Sequence, residues 1–254
     1  MFETKDYNLG IVIPYINCAD YVIDLVNSIQ SHQRHYIILI DNHSDNATKE
    51  KLEFLSKRPN IELAVQDHNI GCAGAWNYGM RYLFKNPKIN HIAILNNDIL
   101  LHPDCLDRLY YKQLSSGLPL ISAIDMAKEC DEPHDIFKLP IPEKETLSEN
   151  PEFSCFMISR KAFCTIGAFD EKFYPAYFED NDYHYRIKLS KQRAVKLNTA
   201  MYYHFGSRTM KDNEAIGNIV NTYYLQNERY YIEKWGGKPG KEKNAIPFMG
   251  RRWG

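Results

Sequence analysis

The chain has 254 residues, 44% of them apolar, enough to bury a sizeable core and a length that suits one large α/β domain or two small ones. Thirty-one basic against thirty-two acidic residues leave a formal charge of -1, which argues against a dedicated polyanion-binding protein whose affinity rests on a charged surface. No apolar run is long enough to cross a bilayer, and the polar opening Met1-Phe2-Glu3-Thr4-Lys5-Asp6 is followed by neither the apolar core nor the cleavage site of a signal peptide.

Short β-branched runs alternate with longer amphipathic segments, the pattern of a largely parallel sheet covered by helices. Leu9-Gly10-Ile11-Val12-Ile13 reads as a buried strand stopped by Pro14. Ala19 to Gln30 follows as a helix, with Tyr21, Val22, Leu25, Val26 and Ile29 on one face. Next come a strand Tyr36 to Ile40, a helix Ala47 to about Ser56, a strand Ile61 to Val65, a helix Cys72 to Phe84 and a strand His91 to Leu95. This is a doubly wound beginning, in which ligands bind beyond the carboxyl ends of strands. Ala127 to Pro151, rich in Asp, Glu, Lys and Pro, predicts a long loop and a mobile lid. Structure resumes at Phe153 to Ser159, turns at Gly167-Ala168-Phe169-Asp170, and passes an aromatic run, Phe173 to Phe178, into a helix starting beside Glu179. A long helix is expected from Glu214 to Trp235, then a tail with Lys238, Lys241, Lys243, Arg251 and Arg252. Cys18, Cys72, Cys105, Cys130, Cys155 and Cys164 show no tight paired spacing, so reduced thiols and a cytoplasmic location are expected.

Four clusters carry chemistry: Asp41 to Asp45, Asn96 to Asp98, Glu179 to Asp182, and His204. One sheet edge bearing all four would hold a nucleotide, a divalent cation and a base together, as transfer from a nucleotide sugar requires. The departing diphosphate needs its charge neutralised, which a cation on one or two carboxylates and the phosphate oxygens achieves. Asn96-Asn97-Asp98 offers one carboxylate, and would equally make a turn. His204, at the end of an expected late strand, could supply a second ligand as neutral imidazole, although a lone histidine is usually structural. An inverting transfer also needs a carboxylate to take the acceptor's proton, and Asp180 is the expected base. Asp182 and Arg186 are better explained as an i,i+4 ion pair. Asp180 shares with Glu179 a crowded anionic stretch in which repulsion raises proton affinity. Asp41 could accept from a nucleobase imide while Pro14 and Tyr15 flank the base. Equally, Ser44 or Asp45 could cap the next helix, and Gly71, Gly74 and Gly79 could let a helix pack closely on the sheet.

Over nearly the whole chain, the order and context of these segments resemble the inverting glycosyltransferase family 2, with its GT-A fold. Gly10 to Asn17 resembles the opening strand, and Ile40 to Asn46 the aspartate loop that contacts the base. His68 to Gly79 looks like the family's Asn-x-Gly segment in its rhamnosyltransferase-like form. Leu95-Asn96-Asn97-Asp98 stands where such members carry Leu-Asn-x-Asp, which implies Asp98 as metal ligand and leaves the first carboxylate missing at Asn96. Tyr177 to Asp182 is similar to the segment whose Glu-Asp pair carries the base, and His204-Phe205-Gly206-Ser207 to one that completes the metal site in some members. Ser154 and Ser190 to Arg193 depart from the family pattern on the acceptor side.

The resemblance implies an α/β, Rossmann-like, mostly parallel GT-A sheet with an acceptor-side subregion and a C-terminal helix. One domain is expected over 1–254: about 1–124 for the nucleotide sugar, about 125–213 for acceptor and catalysis, about 214–254 for the helix and basic tail. It implies a nucleoside diphosphate sugar as donor, with Mn2+ or Mg2+ on Asp98 and His204. Donor-binding residues would be Pro14, Tyr15, Asn17, Asp41, Asn42, Ser44, Asn69, Gly71, Gly74, Asn77, Asn96 and Asn97. Asp180 would be catalytic, with Glu179 shaping the sugar site. The acceptor is a hydroxyl, on a glycan first; a modified nucleobase is the alternative that the basic tail keeps open. A nucleotidyltransferase would want a glycine- and lysine-rich first loop, unlike Pro14 to Cys18. A nucleotide- or carbohydrate-binding protein without turnover is the reading from another class.

Overall fold

A computed structural model describes residues 6–250. Residues 1–5, which carry the signal-peptide argument, and the tail residues Arg251 and Arg252 lie outside the described residues.

In chain order the elements are β1 (Leu9–Tyr15), α1 (Ala19–Ser28), β2 (His35–Asp41), α2 (Asn46–Leu52), β3 (Ile61–Val65), α3 (Gly71–Leu83), β4 (His91–Leu95) and β5 (Ile99–Leu101). Then follow α4 (Cys105–Ser116), β6 (Leu120–Asp125), β7 (Leu147–Ser148), β8 (Cys155–Ser159), α5 (Arg160–Ile166), α6 (Glu179–Leu189), β9 (Ala194–His204), α7 (Arg208–Lys211) and α8 (Glu214–Trp235). Successive side chains of β1 point to opposite faces, and both are covered. Leu9, Ile11 and Ile13 pack with α1 and α4, whereas Val12 packs with α3, α5 and α6. Gly79 lets α3 lie close on the sheet, since a Cβ there would come within 2.5 Å of Val12.

The sheet order is β3-β2-β1-β4-β8-β6-β9-β5, with β7 on the flank of β9. The first four strands are parallel; β8 runs antiparallel to both β4 and β6; β6 and β9 are parallel. Two reversals restore the original direction, so β9 ends on the same rim as β1, β2 and β4. That rim gathers the end of β1, Asp41, Asn96 to Asp98, and His204.

Three expectations of local structure change. Pro14 does not stop β1, which continues with Pro14 opposite Ile40 and Tyr15 opposite Asp41. Pairing with β4 has already ended at Val12 and Ile94, so the proline's missing N–H falls beyond the last pair on that side. The helix after β2 tightens at Glu53 into a 3-10 turn, and its N-cap is Asp45, which accepts from Thr48 N at 2.7 Å. The segment 127–151 is a strap docked on the sheet, not a lid. Ile136 is buried with Leu100 and Met201, and Leu147–Ser148 pairs with β9. Its apolar residues lack a period because they meet the sheet singly rather than along one face of an element. Among the described residues no helix is long and apolar enough to cross a membrane, and all six cysteines are free.

Candidate active site

The rim encloses a cavity of about 320 Å³. One wall comes from the parallel half of the sheet. Pro14 and Tyr15 end β1 there, beside Asn42 and the loop Asn69-Ile70-Gly71. Asn42 shapes this wall: its Oδ1 accepts from Ile70 N at 2.8 Å and its Nδ2 donates to Gly71 O. Asn69 Oδ1 accepts from Gly71 N at 2.8 Å. Gly71 has a φ of 74°, and a Cβ on it would lie 2.9 Å from the Pro175 carbonyl oxygen, which accepts from Cys72 N. A left-handed non-glycine residue costs roughly 1–2 kcal/mol, and overpacking roughly 1–3 kcal/mol more. Gly71→Ala is therefore expected to lower stability by about 2–4 kcal/mol in urea denaturation. A loss below about 1 kcal/mol would show that the approach to Pro175 is not enforced.

The opposite wall comes from the start of α6 and the turn before it. Glu179 and Asp180 open α6 and both line the cavity. They are delivered by an unusual turn, for Tyr177 and Phe178 have φ of 77° and 76°, a conformation that bulky side chains rarely adopt. Asn227 of α8 braces it, its Nδ2 facing the carbonyls of Tyr174, Ala176 and Tyr177 at 3.0, 2.9 and 3.4 Å. Burial pushes the Asp180 carboxyl above its ordinary range, against hydrogen bonds from backbone N–H groups that include Asn181 N at 2.7 Å. Burial, with the neighbouring Asp180 charge, pushes Glu179 well above its own, and its Oε2 has no partner. Asp182 takes no part in the wall. It is fully buried and bonded to Trp235 Nε1, Lys234 Nζ and Arg186 Nε at 2.8, 2.6 and 2.9 Å.

Between these walls stand Asp98 and His204. Pairing of Ile99 with His204 brings them together, and Nε2 of the imidazole lies 3.3 Å from Asp98 Oδ1. The other oxygen, Oδ2, accepts from Arg208 N at 2.9 Å. Burial disfavours the charged imidazole, but Asp98, Asp125 and Glu152 hold the His204 pKa above its usual value. Burial likewise opposes the Asp98 carboxylate, which His204 and the Arg208 backbone hold below the usual range. Although buried, His204 Nε2 makes no hydrogen bond. The Asp98 carboxylate and the His204 imidazole nitrogen, 3.3 Å apart, would fit a divalent cation with the ring in its neutral form. Among the described residues no group of three or more His, Cys, Asp and Glu side chains gathers to hold one.

Residues 10–163 match the family model for glycosyl transferase family 2. The chain belongs to that family. A galactofuranosyl glycosyltransferase of Leishmania donovani is 23% identical over 221 residues, which take in 68% of this chain and 49% of that protein. The chain thus spans about half the length of this curated relative. A mannosyltransferase from Pyrobaculum calidifontis, solved with GDP-Man and Mn2+, superposes with a TM-score of 0.62 at 15% identity, over 94% of this chain and 67% of that one. TarS of S. aureus gives 0.58 at 14%, over 86% and 65%. These likenesses show the fold, which is GT-A.

Several residues expected on the wall of this cavity lie behind it. Asp41 is 0% exposed, with Oδ1 accepting from Ser44 N at 2.6 Å and Oδ2 unpartnered. Ser44 and Asn17 clamp two loops together, Ser44 Oγ accepting from Asn17 N and Asn17 Oδ1 from Asp45 N. Asn77 is buried on α3, exchanges bonds with the backbone of Phe169 and donates to Glu171 Oε1, outside the cavity lining. Gly74 packs on Ile70. Asn96 and Asn97 do line the cavity, Asn97 Oδ1 accepting from Thr209 Oγ1. Sequence reasoning missed Trp76, Phe153, Thr209, Met210 and Val220 on the wall. It also missed Asn227, whose one signal is an amide on the buried face of a long helix.

Proposed function

We propose that this chain is an inverting glycosyltransferase that moves one sugar from a nucleoside diphosphate sugar to an acceptor hydroxyl with the aid of a divalent cation. What carries the reading is that Asp180 and the Asp98–His204 pair line one cavity, on a wall and at its centre. As the acceptor oxygen attacks the anomeric carbon, Asp180 takes its proton while the bond to the diphosphate breaks on the opposite face. Asp98 and His204 would hold the cation, manganese or magnesium, which when bound would supply charge neutralisation for the diphosphate. Tyr15 and Pro14, which line the cavity, flank the nucleobase, while the buried Asp41 holds the loop behind them through Ser44 N. Glu179 faces the donor sugar. The Pyrobaculum mannosyltransferase, solved with GDP-Man and Mn2+, supports both the donor class and the metal. The segments His68 to Gly79 and Leu95 to Asp98 support a rhamnosyltransferase-like subgroup, and the free cysteines a cytoplasmic location. A glycan acceptor is preferred to nucleic acid because the chain as a whole carries a formal charge of -1.

Calorimetry with GDP, UDP and dTDP, with and without Mn2+, tests this. One nucleotide should bind in a metal-linked manner. Asp98→Ala should abolish the metal dependence and weaken binding by about two orders of magnitude, the several-kcal/mol scale of cation–phosphate stabilisation. Equal binding with and without metal in the unaltered chain would overturn the metal site, and no nucleotide binding would overturn the donor.

A further inference from the structure

We propose that Tyr177 and Tyr224 form an aromatic shelf at the mouth of the cavity that holds the acceptor, and that the acceptor is an uncharged sugar ring. The inference rests on the transferase reading above and adds to it the place and chemistry of the acceptor. If Asp180 takes the acceptor's proton, the body of that acceptor must leave the cavity beside Asp180. Tyr177 lines the cavity there, three positions ahead of Asp180. The two rings meet edge to face, with centroids 5.4 Å apart, and Tyr224 also contacts Phe178 at 5.3 Å. Yet Tyr177 remains 39% exposed and Tyr224 40%. Large aromatic surface left in solvent beside a cavity marks a recognition surface.

Backbone strain points the same way. Tyr177 and Phe178 both take positive φ, and Asn227 holds the turn in place through the Tyr174, Ala176 and Tyr177 carbonyls. Strain of this kind persists only where surrounding structure over-determines it, and it gathers at ligand sites. Here it turns Tyr177 toward the cavity mouth immediately ahead of the Glu179-Asp180 pair.

Charge selects the class of acceptor. From Ile216 to Asn227, α8 carries no Asp, Glu, Lys or Arg, offering tyrosines, amides, a threonine and the exposed Leu225. A nucleic acid or other polyanion would find no cation on this stretch of α8, with Arg208 and Lys211 on the neighbouring α7. A neutral sugar needs flat apolar surface for its ring C–H groups and scattered hydrogen-bonding groups for its hydroxyls.

Tyr224→Ala and Tyr224→Phe test the shelf, because Tyr224 lies outside the donor wall. Saturation-transfer NMR with a panel of methyl pyranosides and neutral disaccharides reads acceptor contact; GDP, UDP and dTDP binding in Mn2+ reads the donor half. Ring protons of at least one glycoside should receive saturation in the unaltered chain and in Tyr224→Phe. Affinity should fall about 3- to 10-fold in Tyr224→Ala, with nucleotide affinity unchanged in all three. The shelf is overturned if no glycoside contacts the unaltered chain, if Tyr224→Ala binds as well as Tyr224→Phe, or if the unaltered chain forms a dimer that Tyr224→Ala disperses. Loss of nucleotide binding throughout would instead count against the donor reading, leaving the glycoside result to decide the shelf.

Discussion

Asp180→Asn is expected to lower turnover by about 10²–10⁴-fold, the scale of a lost general base, while leaving nucleotide binding unchanged. The substitution keeps shape. An amide oxygen can still accept from Asn181 N, as Asp180 Oδ1 does now, so the wall should not move. What disappears is the capacity to take a proton. Burial would still hold the neighbouring Glu179 carboxyl above its ordinary range after the Asp180 charge is removed. Donor hydrolysis gives the same test without an acceptor, water standing in for the hydroxyl. The pH profile carries a second signature. Burial raises the Asp180 pKa, and the base works only when ionised, so the rate should be lost as pH falls through a midpoint above the ordinary aspartate value. Residual activity of Asp180→Asn should lack that limb. A variant within about threefold of the unaltered rate would remove Asp180 from the mechanism.

Lys234→Met is expected to cost about 3–5 kcal/mol of stability, the range for breaking one partner out of a buried ion pair. Lys234 sits in the last turn of α8 with its ammonium 2.6 Å from both Asp170 and Asp182. It thereby ties α8 to the first turn of α6 and to the loop that leads there. Asp182 keeps Arg186 and Trp235 Nε1 after the change, but Asp170 keeps only Tyr230 Oη and the Lys172 backbone. Burial opposes the Asp170 carboxylate, and Lys234 with these hydrogen bonds holds its pKa below the ordinary value. A depressed carboxyl pKa contributes stability above the unfolded-state value and loses it as pH falls through the folded-state one. Urea denaturation should therefore show the gap between Lys234→Met and the unaltered chain closing at acidic pH. A gap independent of pH would mean that lost packing, not the lost charge, accounts for the effect.

Strong periodicity made the first half of the fold legible. Runs such as Tyr36 to Ile40 are buried on both faces and need no distant partner to be read as strands. The rim followed from them, because acids and amides placed just after parallel strands must share an edge. Asp98 and His204, at strand ends, meet at one cavity with Asp180, which lies in the first turn of a helix. Legibility failed where a residue's partner lies far along the chain. Asn77 sits in a short motif, yet the partners of its amide, Phe169 and Glu171, lie more than ninety residues on. Ile136 was lost in a polar stretch because what buries it, Leu100 and Met201, belongs to two distant strands.

By itself, then, the sequence determined the strand and helix alternation, the one-sided placement of its chemistry-bearing residues and the family they belong to, since all three depend on near neighbours and short motifs. Only the tertiary structure decided which of those residues face the cavity. The reversals through β8 carry His204 back to Asp98, and the brace from Asn227 turns Tyr177 and Asp180 toward the same space. Burial, orphaned polar atoms and shifted protonation arise from these long-range contacts, to which the local pattern of a chain is blind.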